Sequence, residues 1–231
     1  MSFAASVITL FPEAFPGTLD LSLIGKARRE GVWTLEAIDL RTFGVGPHRA
    51  VDDTPAAGGA GMVIRADVAA AAIDSIRSEG RPILMPSPRG RPLTQEMAQA
   101  WSQGPGLILF CGRFEGVDER VIEARGIEEV CIGDAVLAGG EAPALVILEA
   151  TLRLLPGVLG NEDSLTRESF TDQLLEEPHF TRPRVWEGRA IPDVLLGGDH
   201  ARIEAWRRAE RDKLTRERRP DLWAKLTRRA D

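Results

Sequence analysis

Tyrosine is missing altogether from this 231-residue chain, and only two cysteines and three histidines are present. Cys111 and Cys131 lie in apolar runs, LILFC and EEVCIG, with no CxxC pair and no Cys/His cluster, so the usual zinc spacings are excluded. Thiols placed this way suit a reducing compartment, and a cytoplasmic location is the expectation. No apolar run approaches the roughly 20 residues that a membrane-spanning helix requires, so no membrane partner is expected. The opening MSFAASVITLFPEAF has no basic stretch ahead of its apolar residues and soon meets Pro12. It reads as a first strand and turn, not as a signal peptide. GxGxxG, GxxxxGK[ST], HExxH and GxSxG are also absent. A dinucleotide fingerprint, a P-loop, a zinc-protease helix and a hydrolase elbow therefore lack support.

The balance of 43% hydrophobic and 28% charged residues is that of an ordinary soluble globular protein. Its net charge of −6 would by itself argue against a nucleic-acid partner. The distribution points the other way. Residues 200–231 hold eleven Lys/Arg against six Asp/Glu, which makes that segment +5 and leaves −11 on the rest. A basic tail on an acidic body fits a separate polyanion-contacting part, although a solvated helical face rich in i,i+4 pairs gives the same count.

Short apolar runs, VITL, WTLEAIDL, PILMP, LILFCG and EEVCIG, have strand length and end at Gly, Pro or Asp. Between them helical patterns are predicted over 19–30, 67–78, 94–101, 118–124 and 144–155, with Asp67 as a helix N-cap. This alternation predicts an α/β fold with a mostly parallel sheet and helices on both faces. Around Gly160 the texture changes. NEDSLTRES is polar and aperiodic and reads as a linker over 161–169. Beyond it come a turn-rich stretch and two basic helices, near 199–216 and 221–228. Residues 1–160 are thus expected to form the α/β domain and 170–231 a small helical one.

The chemistry is concentrated where strands end. MPSPRGRPLT, CGRFEG, CIGD and LAGGEAP are four turns that follow apolar strands or open a helix. Glycine there lets the backbone approach a ligand, and open parallel sheets bind ligands beyond the carboxyl ends of their strands. One such turn would be unremarkable, but four from one sheet edge make a pocket.

These turns also carry a resemblance. CGRFEGVDERVI, CIGDAVLAGGEAPA, LLPGVLGNEDS and PHFTRP resemble, in order, the signatures of the bacterial tRNA (guanine-N1)-methyltransferases acting at position 37, the TrmD family of the SPOUT superfamily. HRAVDDTPAAGGAGMVI is similar to that family's substrate-side loop, and ITLFPEAF to its opening strand and turn. The resemblance covers nearly the whole chain. It implies that residues 1–160 form a SPOUT domain threaded into a trefoil knot, with knot loops at 85–89, 112–116 and 131–143 that hold S-adenosylmethionine. It further implies a flexible catalytic linker over 161–169 and a tRNA-binding domain over 170–231. The protein would be a homodimer with active sites at the subunit interface, gripping the tRNA anticodon stem-loop. A magnesium requirement is carried over as well, but no metal ligand is assigned.

Carried over residue by residue, the cofactor contacts fall on Pro88, Gly112, Glu115, Ile132, Gly133, Asp134, Ala135, Val136, Leu137, Gly139, Gly140 and Pro143. Phe114 and Ala135 stand where the family usually has tyrosine, so two phenol hydroxyls are lost. Substrate contacts fall on Asp52, Gly58 and Gly59. The reaction needs a base, because N1 of guanine is a poor nucleophile until its proton leaves. The resemblance places Arg153, just before PGVLG, at the developing charge on O6. It places the base at Glu168 in RESF, where the family usually has aspartate. Asp163, five residues earlier, is the rival.

His179, Arg182, Trp206 and Trp223 read better as packing residues than as catalytic or stacking ones. Arg207, Arg208, Arg211 and Lys213 are candidate phosphate contacts. Another SPOUT enzyme, a non-catalytic RNA-binding relative and a nicotinamide-dependent enzyme are the competing readings.

Overall fold

In a computed structural model, which describes residues 2–160 and 168–228, the chain forms two compact units, Met1–Gly160 and Asn161–Asp231. The first unit contains β1 (Phe3–Thr9), α1 (Ser22–Arg29), β2 (Trp33–Asp39), β3 (Asp52–Asp53), β4 (Val63–Ile64) and α2 (Ala66–Asp74). These are followed by β5 (Ile83–Pro92), α3 (Gln95–Ser102), β6 (Gly106–Phe110), α4 (Glu119–Arg125), β7 (Glu128–Cys131) and α5 (Glu141–Leu152).

The sheet runs in the order β2-β1-β6-β5-β7, and every pairing in it is parallel. Its centre, β6, is buried along its whole length, as a strand covered on both faces must be. Alternation sorts its side chains. Leu107, Leu109 and Cys111 join a core with Trp33, Ile147 and Leu148, while Ile108 and Phe110 join a second core with Leu40, Val68 and Met85. Helices α3 and α5 pack against each other, and so do α2 and α4. The expected mostly parallel sheet with helices is therefore present.

Helix ends follow local chemistry. Thr94 caps α3 through Oγ1, which accepts from the Met97 amide at 3.3 Å, and Asp118 caps α4 by accepting from the Arg120 amide at 3.0 Å. Asp67 is not the cap of α2. The helix begins at Ala66, and the Asp67 carboxylate sits in its first turn, 2.8 Å from the Arg65 guanidinium, as a negative charge favoured there by the helix dipole. The arginine hydrogen bond holds the Asp67 carboxyl below its ordinary value.

The last helix of this unit, α5, begins three residues before the sequence expectation and ends three before it. Pro143 is tolerated in the first turn, where an amide would lack a partner anyway, and Pro156 disfavours helical geometry at Leu155.

Strand β5 carries the irregularity that matters for the site. Pro86 and Arg91 both stand opposite Val130 of β7, so residues 87–90 leave the ladder as a loop at the end of β7. Gly90 permits this: a Cβ there would lie 2.4 Å from the Glu129 carbonyl carbon.

The second unit holds a short hairpin of β8 (Val185–Trp186) and β9 (Arg189–Ala190), then α6 (His200–Arg218) and α7 (Pro220–Arg228). The hairpin lies inside the stretch read only as turn-rich, because two residues per strand leave no alternation to detect. Thr215, buried in α6, accepts from the Leu175 amide at 2.9 Å and so ties the preceding segment to the helix. Phe180 packs against Trp206 with ring centroids 6.1 Å apart, and the Arg216 guanidinium lies 4.8 Å above Trp223. Both tryptophans thus have neighbours within this unit. Among the described residues no helix is long and apolar enough to cross a membrane.

The sheet's closest approach gives a test. Gly106 has φ +146°, and a Cβ there would stand 1.9 Å from the Ala4 carbonyl oxygen, whereas Gly126, at φ +59°, faces open space. Gly106→Ala is expected to lose more than about 2 kcal/mol in urea denaturation. Gly126→Ala should lose about 1 kcal/mol from the left-handed conformation alone. Equal losses would contradict this account of the β1–β6 contact.

Candidate active site

Strands β6, β5 and β7 are neighbours and parallel, so the loops at their carboxyl ends converge. They enclose a cavity of about 390 Å³ formed by residues 85–89, 112–117, 129–133 and 135–140 with Glu119 and Pro143. Small-molecule sites range from roughly 300 to 1,000 Å³. Every expected cofactor residue except Asp134 lines it. Asp134 stands apart from them. The Ala135 amide donates to the Gly133 carbonyl at 2.8 Å, a three-residue turn that leaves exposed Asp134 at its apex, outside the cavity lining. Phe114 lines the cavity with φ +59°, a left-handed conformation that costs a bulky residue free energy and concentrates at functional sites.

One charged pair holds the walls together. Glu141, the first residue of α5, is 6% exposed. Its Oε1 accepts from the Thr9 hydroxyl at 2.7 Å, and its Oε2 lies 2.8 Å from Nη2 of Arg113. Arg113 Nη1 donates to the Ala138 carbonyl at 3.1 Å, and its guanidinium sits 4.4 Å above the Phe11 ring. Thr9 Oγ1 also accepts from the Phe11 amide at 2.9 Å. The end of β1, the turn after β6 and the turn before α5 therefore meet at one ion pair. The glycines allow the approach. A Cβ at Gly139 would stand 2.2 Å from Arg113 Nε, and one at Gly140 would stand 2.7 Å from the Cys111 Cα. Burial first, and the Glu141 carboxylate second, push the Cys111 thiol well above its ordinary value, so Cys111 is a packing residue and not a nucleophile.

Arg89, also in the cavity lining, bonds Glu119 at 3.0 Å and Glu129 at 3.1 Å, pinning the 87–90 loop to α4 and β7. Those hydrogen bonds, that to Glu119 foremost, raise the Arg89 pKa further. Sequence reasoning missed Arg89 and Arg113. The signal for Arg113 was a cation between glycine-rich turns together with one acid, Glu141, opening an apolar helix.

The loop expected to face the substrate lies beside this wall. Asp52 is half-buried in β3, paired with Ile64, while Gly58 and Gly59 are exposed at φ +75° and +109°; none of the three lines the cavity. The loop reaches the cavity through residues not singled out beforehand. The Glu115 amide donates to the Met62 carbonyl at 2.9 Å, and a Cβ at Gly61 would stand 2.4 Å from the Glu115 side chain.

The family model described as tRNA (Guanine-1)-methyltransferase TrmD matches residues 3–225. The chain belongs to this family. Relatives named tRNA (guanine-N(1)-)-methyltransferase from Brucella ovis and Brucella melitensis are each 59% identical over 221 residues, covering 96% of this chain and 91% of theirs. One from Brucella abortus has the same identity over 90% of its length.

Within this methyltransferase the expected catalytic pair is not part of the cavity lining. Arg153 is half-buried at the C-cap of α5, the end opposite Glu141. Glu168 is half-buried in a turn of the second unit, where its carbonyl accepts from the Thr171 amide at 3.2 Å and the neighbouring Ser169 hydroxyl accepts from the Glu176 amide at 3.0 Å. Asp163 lies outside the described residues. The candidate RNA arginines are engaged: Arg207 with Glu177 and Glu204, Arg208 with Asp212, and Arg211 with Asp172. Lys213 is exposed.

The polar core of the wall is testable without substrate. Thr9→Val keeps the shape but leaves the buried Glu141 oxygen and the Phe11 amide without their partner, at a cost of about 1–3 kcal/mol for an unsatisfied group. Chemical denaturation should show that loss for Thr9→Val and a smaller one for Thr9→Ser, which keeps the hydroxyl. Unchanged stability of Thr9→Val would contradict the network.

Proposed function

We propose that this methyltransferase transfers a methyl group from S-adenosylmethionine to N1 of guanosine 37 in tRNA, beside the anticodon, in the cytoplasm. The observation that carries the reading is the cavity made by the β5, β6 and β7 loops. At Gly112, Gly116 and Gly133, all in its lining, a Cβ would stand in open space, so bare backbone is presented to a ligand. Ile132, Val136 and Leu137, each more than a third exposed, supply apolar surface beside it. That combination suits an adenosine, held by backbone groups on its edge and apolar side chains on its faces. S-adenosylmethionine, when bound, supplies a methyl group activated on a sulfonium.

The rest falls to this chain's own side chains. Glu168 takes the proton from guanine N1, and Arg153 faces the negative charge that develops on O6. Arg153, the C-cap, lies twelve positions after Glu141, the first residue of α5. At 1.5 Å per residue that is about 18 Å, more than an arginine side chain spans. The cavity of one copy would therefore receive Arg153 from a second copy, which supports a homodimer with its active sites at the interface. The threading of the 85–89, 112–116 and 131–143 loops is, in this reading, a trefoil knot, and residues 170–231 hold the anticodon stem-loop. Among the described residues no group of three or more His, Cys, Asp or Glu side chains is placed to hold a metal ion, and the magnesium carried over from the resemblance is assigned no ligand.

Methyl transfer from labelled S-adenosylmethionine to an unmodified transcript with guanosine at 36 and 37 tests this reading. Incorporation should require guanosine 37 and fall about 10²- to 10⁴-fold in Glu168→Gln, the span of general acid–base catalysis. Asp163→Asn should stay near wild type. Loss with Asp163→Asn and not with Glu168→Gln would move the base; incorporation with adenosine at 37 would overturn the target.

A further inference from the structure

We infer that Glu141 is a positioning residue that neutralises Arg113, so that the cavity discriminates in favour of a cationic ligand. The inference rests on the cavity being the methyl-donor site. The charged side chains at its wall are Arg89, Arg113, Glu115, Glu119 and Glu129, with Glu141 directly behind Arg113. Two arginines against four glutamates leave a formal charge of −2, which suits a ligand carrying a sulfonium. The balance is asymmetric in depth. Arg89 has two carboxylates and is 61% exposed, so water screens it. The Arg113 side chain is 26% exposed, and its ion-pair partner Glu141 is a buried residue.

The geometry fixes where the Arg113 charge points. Nη2 faces Glu141, Nη1 is held by the Ala138 carbonyl, and the guanidinium is stacked on Phe11. Without the Glu141 carboxylate the guanidinium would be an uncompensated cation at the cavity wall, in a setting of low dielectric where charges act over several ångströms. A ligand sulfonium would then meet net repulsion. A neutral thioether of the same shape would not. The donor differs from its demethylated product, S-adenosylhomocysteine, in this charge, so Glu141 would favour exchange of spent product for fresh donor.

Isothermal titration calorimetry of the full chain with the two ligands separates charge from shape. In Glu141→Gln, affinity for S-adenosylmethionine should fall on the order of tenfold more than affinity for S-adenosylhomocysteine. Arg113→Gln leaves Glu141 unneutralised and should shift the ratio the opposite way, toward the sulfonium. This arm also serves if Glu141→Gln does not fold. The double variant Arg113→Gln/Glu141→Gln should return the ratio to within about threefold of wild type, since additivity fails where two side chains are in contact. Equal weakening of both ligands in Glu141→Gln, or a ratio unmoved by Arg113→Gln, would overturn the inference and leave only packing. A wild-type chain that binds neither ligand would overturn the donor-site reading, and this inference with it.

Discussion

A carboxylate that folding removes from water must find a cation and hydrogen-bond donors, because an unpaired buried charge costs several kcal/mol. Glu141 finds both, in Arg113 and in the hydroxyl of Thr9, and those partners come from segments more than a hundred residues apart in one case and nearly thirty in the other. The remainder of the site depends on that requirement. For Arg113 to reach Glu141, the turn after β6 must lie against the turn before α5, and Gly139 and Gly140 must lack side chains. For Thr9 to reach it, β1 must end level with β6, which the parallel register of Ile8 with Phe110 provides. A buried ion pair is weak evidence of net stability, but it specifies one arrangement of three loops.

The sheet turns that arrangement into a cavity. Three parallel neighbours release their chains on the same side, so their loops can only converge or be pushed apart by side chains. Gly90, Gly139 and Gly140 remove the obstacles, while Gly112, Gly116 and Gly133 leave backbone facing open space. Arg89 holds the 87–90 loop with exposed ion pairs, which are individually weak and salt-sensitive. The two pairings thus differ in physical character. One is a largely buried pair that sets geometry, and the other is an exposed clasp that can yield.

Much of this was legible in the sequence because it rests on local rules. Apolar runs bounded by Gly, Pro or Asp marked the sheet strands, and the helical patterns from 94 and from 118 began at the residues that cap α3 and α4 in the structure. The four glycine turns pointed to a ligand edge, and the resemblance assigned residues that, Asp134 apart, do line the cavity. Asp67 was read as the N-cap of α2, but the helix begins one residue earlier, at Ala66, and takes Asp67 into its first turn. Other features were non-local. The importance of Arg113, Glu141 and Gly61 comes from partners 28, 132 and 54 residues away in the chain, a pairing that periodicity does not encode. Arg207, Arg208 and Arg211, candidate phosphate contacts, also pair with carboxylates of their own unit, which charge counting does not reveal.

A crystal structure of the chain grown with S-adenosylmethionine and a tRNA anticodon stem-loop tests the central claim most directly. The donor is expected in the cavity among Pro88, Gly112 and Ile132–Gly140, with the Arg113–Glu141 pair intact behind it and Arg153 of a second copy facing O6 of guanosine 37. A donor bound elsewhere, or a cavity in which Arg113 has left Glu141 to contact the ligand, would contradict it.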